Sequence, residues 1–237
     1  MFHPEGPSLA ELCAQALSST RGGYDRLAPK FDYTPFRTPD ELIVAIRPLV
    51  QERSVRRVLD LCCGTGAVFE RLAGERLERI GIDFSQGMLR RARHKLRGQP
   101  AEPRWIQADA LHLPFREAFD LVTCFGALGH FRRREQAALF SGIHRILVPG
   151  GRLVFPSFRM PGLSSPSLWL SRGFNAVMHF RNLLFPQEFV MFYLSTCLER
   201  METLLPEMGY ELDVREGLFA EPFERMLVVS AAKRARN

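Results

Sequence analysis

Asp60, Gly64, Gly66 and Asp83 have the types and the spacing from which a nucleotide site is made. Asp60 stands four residues before Gly64 in Val58-Leu59-Asp60-Leu61-Cys62-Cys63-Gly64-Thr65-Gly66, and Asp83 ends the run Arg79-Ile80-Gly81-Ile82-Asp83. A carboxylate at a strand tip can accept hydrogen bonds from both hydroxyls of a ribose. Glycines in the turn keep side chains from holding a ligand off the backbone, and one turn position calls for positive φ. The unpaired N–H groups at the start of the following helix can meet a polar ligand group. A dinucleotide fingerprint would require Gly or Ala where Phe69 stands, and a phosphate loop would require Lys followed by Ser or Thr, which are missing.

These groups need a rigid frame, and the hydrophobic pattern supplies one. The apolar run ending at Leu61 reads as a buried parallel strand, followed by a glycine turn and a helix marked by Phe69, Leu72 and Ala73. Ser85 caps a helix running to about Leu96; Trp105 to Ala108 form a third strand and Phe119 to Phe125 a fourth. Residues 132–147 are helical, Val148-Pro149-Gly150-Gly151 turn, and Arg152 to Phe155 make a fifth strand. A helix carrying Met201, Leu204, Leu205 and Met208, capped by Thr196 with Glu199, precedes two strands around Glu211 to Leu218 and Met226 to Ala231. The expectation is an α/β, Rossmann-like fold: a seven-stranded, mostly parallel sheet with helices on both faces.

Ahead of the sheet, Ser8-Leu9-Ala10-Glu11 is a capping box opening a helix with Leu9, Leu12, Cys13, Ala16 and Leu17 on one face, ended by Gly22-Gly23. Thr38-Pro39-Asp40-Glu41 reads as a second box, leading to an inner stripe of Leu42, Ile43, Ile46, Leu49 and Val50 with Pro48 as a kink. After the fifth strand the alternation stops. Leu170, Phe174, Val177, Phe180 and Leu184 oppose Ser171, Asn175, His179 and Asn182 on an amphipathic helix ending near Pro186. Placed there, this aromatic-rich stretch roofs the cleft as a lid, with Trp169, Phe180 and Tyr193 as substrate-pocket candidates. A membrane-surface helix or dimer face is the second reading, and plain core the third. The chain divides as a single domain, 1–237, with a helical cap at 1–54 and a lid insertion at 156–194.

The 237 residues are 46% hydrophobic and 24% charged, the balance of a globular protein. No apolar run reaches the ~18 residues of a membrane span. The start, Met1-Phe2-His3-Pro4-Glu5, has neither the basic segment nor the apolar core of a signal peptide. Five cysteines without a C-x-x-C pair argue against a zinc site and for reduced thiols in a cytoplasm, so no metal is expected. The net charge of +6 gathers in Arg90, Arg91, Arg93, Lys95 and Arg97, in Arg132-Arg133-Arg134 and in the tail Lys233-Arg234-Arg236. The first run reads as a solvated helix face; a nucleic-acid footprint would need basic residues converging with aromatics near the cleft, and attraction to an anionic membrane surface is equally open.

Two further segments complete a resemblance. Tyr24-Asp25-Arg26-Leu27-Ala28-Pro29-Lys30-Phe31-Asp32 is similar to the Y-D-x-x-A-x-x-[YF]-D segment of small-molecule methyltransferases, and Asp109-Ala110-Leu111-His112-Leu113-Pro114-Phe115 continues the pattern. With Asp-x-x-x-Gly-x-Gly and the acid of the second strand, residues 24–155 resemble the class I S-adenosylmethionine-dependent methyltransferases, most closely the small-molecule branch that includes the quinone-biosynthesis enzymes. The resemblance implies that Asp60, Gly64 and Gly66 hold the methionine part of the cofactor and Asp83 its ribose. It implies that Met88, Asp109 and Ala110 meet adenine, that Phe84 is a further cofactor contact, that Tyr24 folds over the cofactor, and that Phe125 and Gly126 line the methyl channel. Met88 reads equally as helix–sheet packing. His130, in the loop after the fourth strand, is the leading candidate for a general base, with a structural hydrogen bond as its alternative role; His112 and Tyr24 rank lower. His94 and His144 fall on helix surfaces. The loop lacks the Asn/Asp-Pro-Pro-aromatic sequence of base-amino methyltransferases. The implied reaction is methyl transfer to a small, hydrophobic or aromatic acceptor at carbon or oxygen. The alternatives are a non-catalytic cofactor- or partner-binding module, and an RNA or protein methyltransferase.

Overall fold

In the computed structural model, residues 3–52, 54–72, 77–99, 101–185 and 187–234 are described; Ala73, Pro186 and Arg236 lie outside them. Seven strands form one sheet: β1 (Arg57–Leu61), β2 (Glu78–Asp83), β3 (Arg104–Gln107), β4 (Phe119–Thr123), β5 (Leu147–Phe158), β6 (Tyr210–Arg215) and β7 (Met226–Lys233). Their order is β3-β2-β1-β4-β5-β7-β6, and only β7 runs against its neighbours. The helices are α1 (Leu9–Ala16), α2 (Thr20–Leu27), α3 (Asp40–Val44), α4 (Arg47–Val50), α5 (Ala67–Arg71), α6 (Gln86–Lys95), α7 (Arg133–Ile146), α8 (Pro166–Leu184) and α9 (Leu198–Glu207). The expected Rossmann-like fold is the one observed.

β1 is buried on both faces because helices cover both. Leu59 and Leu61 pack with Val122, Leu139 and Phe140 on one side, while Val58 packs with Leu121, Phe69, Leu72 and Ile43 on the other. The chain order reverses between β1 and β4, and a crevice opens there at the strands' C-terminal ends. Gly66 holds the turn against the sheet. It adopts φ 79°, and a Cβ there would lie 2.7 Å from Leu96 Cδ1 and 2.8 Å from the Trp105 ring. The packing of α5 on α6, as much as access for a ligand, therefore excludes a side chain.

Several local expectations are corrected. The first capping box forms as expected, but Gly22-Gly23 lies inside α2 rather than ending a helix. Thr38 is not a cap: Pro39 occupies that position, and Asp40 instead pairs with Arg37 and Arg71. The stripe from Leu42 to Val50 is buried, yet it sits on two short helices with Pro48 in the first turn of the second. Pro149-Gly150-Gly151 is an irregularity within β5, whose pairing jumps from Phe119↔Leu147 to Leu121↔Arg152. Cys197, not Thr196, precedes α9, and the Glu199 carboxylate accepts the Met160 N–H. Part of the basic run of α6 is engaged: Arg91 and Lys95 pair with Asp32, and Lys95 also with Glu70. His94 is exposed as expected, but His144 is half-buried with its ring edge-on to Tyr210.

The largest correction concerns α8. Its polar side faces the protein and its apolar side faces outward. Asn175 exchanges hydrogen bonds with the N–H and C=O of Tyr193, and Asn182 does the same with Phe189. Arg181 donates to the carbonyls of Ala16, Ser18 and Gln187. The returning chain, residues 187–193, finds backbone partners partly on this polar side of the helix and partly in Thr20, Gly129 and His130.

Candidate active site

A cavity of about 270 Å³ occupies the crevice, lined from the ends of four neighbouring strands by Gly64 and Thr65, Asp83 and Phe84, Asp109 and Ala110, and Phe125 and Gly126. Asp83 organises its floor. One carboxylate oxygen accepts the Gly64 N–H at 2.9 Å and the other the Ser85 N–H at 2.8 Å. Each oxygen keeps a second acceptor direction for a ligand hydroxyl. Burial raises the Asp83 pKa to about 6 against the lowering effect of those two N–H groups, with the nearby Asp25 charge adding to the rise.

Asp60 lies one strand away, buried beneath the cavity rather than lining it. Thr123 Oγ1 donates to its Oδ1 at 2.8 Å, whereas Oδ2 has no hydrogen-bond partner. Burial lifts its pKa to about 7, and Asp83 adds to the lift. For both acids the folded-state value lies above the ordinary one, so folding disfavours the charged form. Their contribution to the stability of the unliganded protein is complete below about pH 4 and is lost as the pH rises through 6 and 7. Two buried, under-solvated carboxylates make the crevice attractive to a hydroxyl-bearing cation.

The segment 24–32 closes this floor from the side, and its two aspartates each hold a neighbouring element. Asp25 accepts from Ser85 Oγ and from the Gly87 N–H, fixing the start of α6. Asp32 accepts from Thr65 Oγ1 at 2.6 Å and so ties the glycine turn to the cap. Met88 is buried on the first turn of α6 and lines the cavity, so its packing and its ligand-facing readings coexist. Asp109 is more exposed: it accepts the Leu111 N–H and pairs with His112, whose own ring is largely in solvent.

Tyr24 and His130 meet across the cavity wall. Tyr24 Oη and His130 Nε2 are 2.7 Å apart, and His130 Nδ1 faces the Val190 carbonyl. A carbonyl only accepts, so Nδ1 carries the proton and Nε2 accepts from the tyrosine hydroxyl. Burial lowers the His130 pKa and raises that of Tyr24, so both are neutral near pH 7. The pair thus offers a basic nitrogen reached through a phenol.

Of the other sequence-derived candidates, Gly66 serves the turn without lining the cavity, and neither do Trp169, Phe180 or Tyr193. Trp169 and Phe180 lie on the outward side of α8; Tyr193 packs edge-on to Phe174. In their place the cap and insertion contribute Phe31, Arg37 and Val190. Phe31 belongs to the 24–32 motif and was visible there; Val190 has no sequence signal beyond its place in the insertion. Among the described residues no His/Cys/Asp/Glu cluster could hold a metal ion.

Residues 58–151 match the model of a methyltransferase domain. Over that span the chain is similar to methyltransferase domains. It is 41% identical over 118 residues to a demethylmenaquinone methyltransferase of Thermus thermophilus, covering 48% of this chain and 52% of that one. It is 39% identical over 130 residues to a ubiquinone/menaquinone biosynthesis C-methyltransferase of Yersinia pestis, covering 52% of this chain and 49% of that one. These matches span about half the length of each curated relative, and the resemblance to the quinone-biosynthesis branch holds over that part. The fold is shared with a magnesium protoporphyrin IX methyltransferase of Synechocystis crystallised with bound S-adenosylhomocysteine, at a TM-score of 0.58 and 18% identity over 90% of this chain and 86% of that one.

Proposed function

We propose that this protein binds S-adenosylmethionine in the crevice and transfers its methyl group to a small apolar or aromatic acceptor, at carbon or oxygen, in a reducing cytoplasm. The observation that carries this reading is the cavity itself: a buried carboxylate at the β2 tip, a bare glycine turn beside it, and a Tyr24–His130 pair opposite. The residues fit the cofactor. Asp83 would hold the ribose hydroxyls at about 1.5–3 kcal/mol per charge-assisted bond, Asp109 and Met88 would flank adenine, and Gly64 would face the methionine part. The unpartnered Asp60 carboxylate supplies negative potential beneath it.

When bound, that cofactor supplies an electrophilic methyl on a sulfonium. The chain's task is alignment: Phe125, Gly126 and the cap segment hold the acceptor in line, a contribution of roughly 7–11 kcal/mol when geometry is tight. An acceptor that must lose a proton passes it to Tyr24 as Tyr24 gives its own to His130 Nε2, while Val190 holds the imidazole in the required tautomer.

The test is a calorimetric titration with S-adenosylmethionine, followed by product analysis with a panel of phenols, quinols and other small aromatics. Binding in the micromolar range or tighter, with one methylated product, is expected. Binding without product across the panel would reassign the protein as a non-catalytic module, and label on macromolecules from a crude lysate would replace the small acceptor by an RNA or protein.

A further inference from the structure

We propose that the outward side of α8 is a docking surface for a lipid bilayer bearing anionic headgroups. In a globular protein a nineteen-residue amphipathic helix normally hides its apolar side, yet here only Leu168, Met178 and Arg181 are buried. Leu170 is 78% exposed, Leu183 81%, Val177 64% and Phe180 62%. Together with Trp169 and Leu184 they sweep an arc of roughly 140° around the helix at 3.6 residues per turn. That arc is continuous. Arg181 reaches from α8 to the Ala16 carbonyl at the end of α1, which brings the exposed Leu17 near the same surface.

The occupant follows from shape and charge. A helix–helix seam is a narrow stripe two residues wide, whereas this apolar side is broader, spanning the whole of that arc. Residues 160–187 contain no Asp or Glu, and the polar margin of the arc is formed by the exposed Arg172 and His179. Arg172 sits 5.2 Å over the exposed Trp169 ring, an amphipathic pair suited to the headgroup boundary. Among the described residues no helix is long and apolar enough to cross a membrane. The helix would therefore lie in the interfacial plane, apolar side down. Val190 and Phe189, reached within a few residues of its end, stand at the cavity wall and against Tyr24, so the surface sets the cavity next to the lipid. The inference does not require methyl transfer: a bilayer would be bound in either case.

The full chain is to be mixed with sedimenting vesicles of phosphatidylcholine, with and without phosphatidylglycerol. The wild type should partition onto the phosphatidylglycerol vesicles, and Leu170→Ser combined with Phe180→Ser should weaken that by at least about tenfold while leaving the melting temperature unchanged. Arg172→Glu should lower partitioning on the anionic vesicles alone. The proposal is overturned if the wild type stays in the supernatant, or if the double variant partitions equally. It is also overturned if light scattering shows a wild-type dimer that the double variant dissolves with no vesicle binding by either, which would make the surface an interface between copies. Because partitioning is read without any methyl acceptor, its failure is separable from failure of the catalytic reading.

Discussion

At the sheet tips, apolar side chains point into the core and the acids Asp83 and Asp60 sit where strands stop; in α8, asparagines and an arginine point inward while leucines and phenylalanines point out. The central strands are apolar on both faces, whereas α8 is amphipathic by sequence, and the two are oriented by different demands. A central parallel strand satisfies its backbone through its neighbours, so only side-chain burial decides which way it faces. The insertion packs against an irregular return segment whose N–H and C=O groups no strand pairs, and asparagines of α8 that bond several of them compete with the burial of Leu170 or Leu183. An unsatisfied buried polar group costs about 1–3 kcal/mol, comparable with the ~1.5–3 kcal/mol from burying one leucine.

The sharpest break in that comparison is chemical. His130→Ala or Tyr24→Phe should lower kcat by about 10²–10⁴ for an acceptor that loses a proton, with cofactor affinity kept; equal loss of affinity instead would assign the pair to cofactor binding. Next in size, Gly66→Ala should destabilise by about 2–4 kcal/mol in denaturant unfolding, from positive-φ strain together with overpacking against Leu96 and Trp105.

Asp83→Ala should weaken S-adenosylmethionine at least tenfold by calorimetry. In the wild type, affinity should fall as the pH drops through about 6, because protonation removes the acceptor that the ribose needs. A flat profile between pH 5 and 8 would detach Asp83 from the ribose. The smallest effects test α8 directly. Asn182→Ala should cost about 1–3 kcal/mol, while Leu170→Ser should stay within ~0.5 kcal/mol. An apolar side turned inward would give the reverse ranking in thermal melts.

The reach of sequence reading differs along the chain for the same reason. Around β1 and β2, local signals agree: an unbroken apolar run, glycines where the backbone must turn, and an acid at the strand end. The roles of Asp25 and Asp32 were within reach too, since they are the polar constants of the 24–32 motif, but their partners Gly87 and Thr65 are set by tertiary contact. The Trp169, Phe180 and Tyr193 pocket failed because aromatic content reports affinity for apolar surroundings without naming which surroundings.

Period and composition alone determined that this chain forms a mostly parallel sheet with a carboxylate-and-glycine crevice, because each of those features arises from neighbours in sequence. Only the tertiary structure brought Tyr24 to His130 across 106 positions and turned α8 apolar side out. A helical pattern defines two sides of a helix, but which one faces inward depends on distant backbone groups that need hydrogen bonds.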